Sequence, residues 1–364
     1  MEINRRSFLT GAMAAAGAAA ASGLTLPQAV QASSGRELAT MLDLSKCIGC
    51  ESCVEACREV NKKYMRDPIK PIPRMFPERV KIEDWSEKKN VTDRLTPYNW
   101  LYVENLEVKK DGEDLTVNIP RRCMHCQNPP CANLCPWGAA NKQDNGLTVI
   151  DPDICLGGAK CQQVCPWNIP QRQSGVGLYL SIAPAYAGNG VMFKCHRCHE
   201  RLDKGELPAC VEVCPEKVQT IGPRERIIAQ AHARAKEIGG YIYGEHENGG
   251  TNTIYVSPVP FEQLNQALRA KIGRIVEAEV KGAVKAKGLP SAPEELKKAI
   301  AKRERDGRPH FKPVGNSMAQ AENLTLALVV APIAGVAAAL HKARKMISRL
   351  SPGSEDRKED NGNV

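Results

Sequence analysis

Fifteen cysteines fall into four groups, and their spacing carries the chemistry. The first is Cys47-x2-Cys50-x2-Cys53-x3-Cys57; the second is Cys123-x2-Cys126-x4-Cys131-x3-Cys135, followed by Pro136. The third, Cys155-x5-Cys161-x3-Cys165-Pro166, keeps the outer spacing of the same run with Gly158 where its second cysteine would stand, and the fourth is Cys195-x2-Cys198-x11-Cys210-x3-Cys214-Pro215. Three thiolates close in sequence can wrap one iron–sulfur cluster while a fourth, just before proline, binds the neighbouring cluster. Tetrahedral zinc also takes four thiolates, but its ligands usually come as two separated pairs. Cys195-His196-Arg197-Cys198-His199 also fits covalent haem attachment, a use that would leave Cys210 and Cys214 without partners. His125, His196 and His199 then read as solvated or as outer residues that tune a cluster by hydrogen bonding.

Composition allows this chemistry and excludes other classes. At 364 residues the chain has room for two compact units or one elaborated one. Cysteine at about four per cent, in an odd number, does not make a disulfide scaffold. Charged residues at 25% and hydrophobic ones at 42% exclude wholesale disorder. No nucleophile–base constellation, phosphate loop or nucleotide fingerprint is visible, so the chain is expected not to be an enzyme itself, with turnover on a partner.

The ends of the chain suggest where it works. Arg5-Arg6 precedes an Ala/Gly-rich stretch from Gly11 to Leu24, and Val30-Gln31-Ala32 offers small residues for cleavage, the plan of a twin-arginine leader over residues 1–32. The alternative is a surface basic pair before an Ala-rich helix. Twin-arginine export carries folded chains with cofactors inserted, which suits metal clusters and conflicts with haem attached outside to an unfolded chain. Export also removes nucleic acid as a partner for the +9 net charge. Leu324 to Leu340 is 17 residues without a charge, followed by His341, Lys342, Arg344 and Lys345. A membrane anchor is expected over 320–341, with a cytoplasmic tail over 342–364 and the body at the periplasmic face of the cytoplasmic membrane. Pro332 and Gly335 keep a buried core helix open as the other reading.

Over roughly Leu42 to Leu264 these residues resemble the four-cluster ferredoxin subunits of membrane-bound respiratory oxidoreductases. The resemblance implies an α+β fold of two pseudo-symmetric two-cluster modules with insertions, groups one and four forming one module and groups two and three the other. It implies one [4Fe-4S] cluster on Cys47, Cys50, Cys53 and Cys214, a second on Cys195, Cys198, Cys210 and Cys57, and a third on Cys123, Cys126, Cys131 and Cys165. Cys155, Cys161 and Cys135 remain for the fourth. Some relatives replace one cysteine in this group and hold a three-iron cluster, so the resemblance implies [3Fe-4S] with Gly158 at the vacant ligand position; a four-iron cluster completed by a non-cysteine ligand is the alternative. One thiolate fewer removes negative charge and should make this cluster easier to reduce than its neighbours, which would suit an electron exit. The implied partners are a catalytic oxidoreductase or multihaem cytochrome subunit and an integral membrane, quinone-interacting subunit. Tyr243-Gly244-Glu245, Gly249-Gly250-Thr251 and Val259-Pro260 resemble hydrogenase-2-type and formate dehydrogenase-N-type subunits. The separate leader favours a hydrogenase or multihaem-cytochrome complex over a molybdopterin one of formate, polysulfide or nitrate type. A structural zinc-binding adaptor is the rival from another class.

Trp137 and Trp167 each follow a Cys-Pro pair, which marks an internal repeat and predicts rings packed over clusters to exclude water. Within the four-cluster domain (42–225), the 58–122 insertion should hold a β-hairpin, Leu101 to Val108 and Leu115 to Ile119, joined across Lys109 to Asp114. Beyond it, 226–316 reads as an accessory helical and linker region. Arg224 to Ile238 is predicted helical and Ile254-Tyr255-Val256 extended. Leu264, Leu268, Ile272, Ile275, Val276, Val280 and Val284 recur as on an amphipathic helix, and Ser291 to Glu294 is a capping box for another that ends near Arg305.

Overall fold

The computed structural model describes residues 37–287 and 307–319. The leader, the helix expected from Ser291 to Arg305, the anchor and the tail lie outside the described residues. No described helix is long and apolar enough to cross a membrane. In chain order the elements are β1 (Leu38–Asp43), α1 (Ser52–Asn61), β2 (Tyr102–Lys110), β3 (Glu113–Arg121), α2 (Pro130–Asn133), β4 (Ala140–Lys142), β5 (Thr148–Ile150), α3 (Lys160–Gln163), β6 (Gln171–Gln173) and α4 (Tyr179–Ile182). Then come β7 (Val191–Phe193), α5 (His199–Leu202), α6 (Ala209–Glu212), β8 (Gln219–Pro223), α7 (Arg224–Ile238), β9 (Tyr241–Tyr243), β10 (Thr253–Ser257) and α8 (Phe261–Lys287). Helix and strand are mixed, as expected for an α+β chain.

β1 is buried on both faces because period-two alternation sends its side chains two ways. Ala39 and Met41 meet Ile227, Ala231 and Ala235 of α7, while Leu42 joins the main core. The strand order is β8-β1-β10-β9, with β1 parallel to β10 and antiparallel to β8. α7 ends at Gly239, whose φ of 60 places it in the left-handed region and lets Gly240 N donate to Ala235 O at 2.7 Å.

The expected hairpin forms, with strands two residues longer on either side of the turn, Asp111-Gly112 (φ 52 and 90). Two left-handed residues in sequence match the twist of the flanking strands, the reason Asp-Gly favours such turns. α8 lies against this hairpin through Leu264, Leu268, Ile272 and Val276, all buried. The main core runs without a break from Leu42 to Phe311, so the region after residue 225 packs into the same body as the cysteine groups. Phe311 sits among Tyr243, Tyr255 and Phe261, with the Arg121 guanidinium 3.7 Å from its ring centre.

One ion pair fastens α8 to the hairpin: Lys271 Nζ lies 2.6 Å from Glu104 Oε1, and the Glu104 side chain is 4% exposed. Removing the cation strands a buried carboxylate. We expect Lys271→Met to cost about 1–3 kcal/mol, lowering the thermal midpoint by several degrees, and Glu104→Gln/Lys271→Met to recover part of it. A double variant no more stable than Lys271→Met would rule out this account.

Candidate metal centres

The backbone presents the four cysteine groups through one repeated turn. The residue two past the first cysteine has positive φ in every group: Gly49 (74), His125 (49), Gly157 (63) and Arg197 (54). This reversal aims that residue's N–H at the first cysteine's sulfur, from His125 to Cys123 and Arg197 to Cys195 at 3.4 Å each, and likewise from Gly49 to Cys47 and Gly157 to Cys155. The next residue is Cys50, Cys126, Gly158 or Cys198. Gly158 therefore occupies the turn position that carries sulfur in the other three groups. A Cβ built there meets nothing within 4 Å, whereas one on Gly157 would strike Asn189 O at 2.3 Å.

Folding regroups the cysteines across the chain into four spatial groups, first to fourth in the order that follows. Cys47, Cys50, Cys53 and Cys214 line one cavity with Ile48, Val103 and Pro215. Cys57, Cys195, Cys198 and Cys210 line a second with Asn61, Trp100 and Leu101. Cys123, Cys126, Cys131 and Cys165 line a third with Pro130, Trp167 and Lys194. Cys161 has Cys155 and Cys135 as charge neighbours, which gathers the remaining three. Helix α1 carries Cys53 and Cys57 one turn apart, about 6 Å in rise, and so feeds two different cavities. α6 and the residue two past its end do the same with Cys210 and Cys214, packing against α1. Cys131 and Cys161 lie on α2 and α3, which also pack together.

Adjacent groups lie within electrostatic reach of one another in series. Cys53 of the first feels Cys210 of the second, Cys195 of the second feels Cys123 of the third, and Cys161 of the fourth feels Cys131 and Cys165 of the third. The second group is wholly buried, while Cys50 at one end is exposed and Cys135 at the other is partly so.

All fifteen thiols are free, and among the described residues no three His, Cys, Asp or Glu side chains are placed to share one metal ion. The sulfurs instead ring cavities. Burial pushes the thiols up, Cys53, Cys131 and Cys198 to about 12 and Cys155 and Cys165 to about 11, with neighbouring sulfurs adding to the rise at each. Only a strongly cationic group could hold such sulfurs together as thiolates. Backbone N–H groups already point at them: Val218 to Cys214 at 3.3 Å, Met192 to Cys155 and Ala140 to Cys135 at 3.4 Å, Ile169 to Cys165 at 3.5 Å. Apolar walls, converging sulfurs and inward N–H donors are what an iron–sulfur cluster needs.

Sequence reasoning misjudged some surroundings. Trp167 is buried over the third group and donates to Tyr243 OH at 2.9 Å, but Trp137 is 43% exposed, since the fold brings nothing over it. The histidines do not bond the sulfurs through their rings. His125 Nδ1 accepts from Thr148 N at 3.1 Å, and both nitrogens of buried His196 lack a partner, its ring lying edge-on to Tyr64, Trp100 and His199. The side chains that reach sulfur include Asn61, 3.4 Å from Cys57, Arg122, 2.9 Å from Cys210, Asn248 at Cys126 and Lys194 at Cys123. A cation directly before the first cysteine, Arg122-Cys123 and Lys194-Cys195, was the signal available for finding this.

Comparison with known proteins finds iron–sulfur domains and relatives. Two 4Fe-4S dicluster domains match, one over residues 46–139 and one over 116–224. A protein of Nitratidesulfovibrio vulgaris is 34% identical over 248 residues, covering 66% of this chain and 60% of its own. The hydrogenase-2 operon protein HybA of Escherichia coli O157:H7 is 30% identical over 263 residues, 63% of this chain and 72% of its own. The nitrate-inducible formate dehydrogenase iron-sulfur subunit of Escherichia coli K12 is 29% identical over 231 residues, 60% and 68% respectively.

Proposed function

This chain belongs to the family of ferredoxin-type 4Fe-4S dicluster subunits of oxidoreductase complexes, and from that premise we propose that it relays single electrons along its row of sulfur groups between a catalytic or cytochrome partner and a membrane subunit. The observation that carries this is the serial proximity of the groups, buried in the middle and reaching the surface at both ends. When bound, iron–sulfur clusters supply one-electron valence change at iron. The chain's own work is positional and electrostatic. All fifteen thiols must be deprotonated to serve as ligands, and the N–H groups aimed at sulfur favour the charged form. Trp100, Leu101 and Trp167 keep water from the inner groups, which limits reorganisation as charge comes and goes. α1, with ligands on consecutive turns, fixes the spacing of two groups at once.

The first three groups supply four thiols each for [4Fe-4S] clusters, and Cys135, Cys155 and Cys161, with Gly158 beside them, suit a [3Fe-4S] cluster. HybA-like similarity and a separate leader favour a hydrogenase or multihaem-cytochrome complex; similarity to a formate dehydrogenase iron-sulfur subunit supports a molybdopterin complex as the second reading. Export by the twin-arginine route, a periplasmic body and an anchor over 320–341 complete the proposal, supported by the leader pattern and the uncharged run with its basic flank.

Protein purified without oxygen should be brown, with iron and acid-labile sulfide in near-equal amounts and several couples that each take one electron. Colourless protein holding about one zinc per four cysteines would end the relay reading. Deleting residues from Leu324 onward should release the body from the membrane fraction.

A further inference from the structure

We propose that Arg122 and Lys194 are a reciprocal pair of buried cations, each standing before the first cysteine of one module and reaching across to a ligand sulfur of the other, that set the reduction potentials of the two inner clusters. The inference rests on the relay reading above. Arg122 directly follows β3 and adjoins Cys123 of the third group, yet its Nη1 donates to Cys210 of the second at 2.9 Å. Lys194 follows β7 and adjoins Cys195 of the second group, yet it lines the cavity of the third and faces Cys123 there. The two contacts cross the junction in opposite directions.

Both side chains are deeply buried, Arg122 at 1% exposure and Lys194 at 5%. The ammonium donates to the carbonyls of Thr148 and Cys195 and the guanidinium to sulfur, while Arg122 Nε and Nη2 have no protein partner. Among the described residues no carboxylate cancels either charge. An unpaired buried cation costs several kcal/mol, so the anion that offsets it must be the thiolates and what they hold. The sulfurs of Cys123, Cys131 and Cys195 stand around Lys194, and those of Cys210, Cys195 and Cys53 around Arg122.

Reduction adds one electron to a cluster, and no bond to protein forms or breaks. A fixed positive charge a few ångströms away in a medium of low dielectric favours that added electron. Because each cation bears most strongly on one inner group, the pair raises both potentials together and keeps either from becoming a trap at the junction. Arg197, also buried nearby, is spent on Asn252 O and Thr253 Oγ1 and supplies a background common to both.

The test is an electron-paramagnetic redox titration of the full chain, purified without oxygen, with iron and sulfide measured in parallel. Lys194→Gln, Lys194→Met and Arg122→Gln should each make one couple at least tenfold harder to reduce, a fall of about 59 mV or more for one electron. The Lys194 and Arg122 variants must move different couples. Lys194→Arg, which keeps the charge, should stay within about threefold of the parent. Unmoved couples in cluster-bearing variants overturn the proposal, as does loss of iron in both neutral Lys194 variants with Lys194→Arg intact, which would mean an assembly role. Absence of clusters from the parent protein would sink the relay reading itself.

Discussion

Gly158→Cys should raise the iron content from about 15 to about 16 per chain and abolish the electron paramagnetic signal near g of about 2 that an oxidised three-iron cluster gives. The expectation rests on the turn. Residue 158 stands one place after left-handed Gly157, as Cys50, Cys126 and Cys198 stand after Gly49, His125 and Arg197. A side chain there meets no protein atom within 4 Å, and the residue's backbone is not in the left-handed region, so cysteine enters without strain. The added thiolate brings negative charge, so the converted couple should also become harder to reduce, by tenfold or more. Two independent readouts must move together. A parent protein with no such signal, or a variant that keeps it unchanged, would sink the assignment of three irons to this group.

How much of this was legible in sequence differs by element. The cysteine runs, the hairpin, α7 and α8 were legible because each is local: its signal lies within one periodic stretch or one spacing. Asp111-Gly112 even encoded the hairpin's short turn, and the strands were drawn too short only because charged residues flank it. The pairing of β1 with β10, Thr40 against Thr253, was not legible, since nothing local couples segments so far apart. Strands β4 to β7, three residues each, are below any periodicity. The two tryptophans show the same limit inside the site. Trp137 and Trp167 share a motif, but only Trp167 meets Tyr243, and Tyr243 arrives from the sheet beyond the cysteine groups. Gly49 and Gly157 hinted at the repeated turn, while His125 and Arg197 at the matching positions concealed it.

Removing iron should dissolve the middle of the fold and spare its edge. α2, α3, α5 and α6 are four residues each and β4 to β7 three, far short of the roughly 12–15 residues at which an isolated helix becomes even marginal. They are held by the sulfurs they surround, so the free energy of cluster binding is also their folding free energy. By contrast, the sheet of β8, β1, β10 and β9 has its own apolar contact with α7, made by Ala39, Ile254 and Val256 against Ile227, Ala231 and Ala235. After chelation under oxidising conditions, amide protection over residues 122–218 should fall by at least about a thousandfold, some 4 kcal/mol, while β1, β10 and α7 keep measurable protection. Proteases should then cut first between the cysteine groups. Full protection everywhere would mean that side-chain packing, not iron, supports the short elements; loss of the sheet in the same step would mean that β1 and α7 also draw their stability from the clusters, because Leu42 and Tyr255 on the sheet's other face belong to the core that contains the thiols.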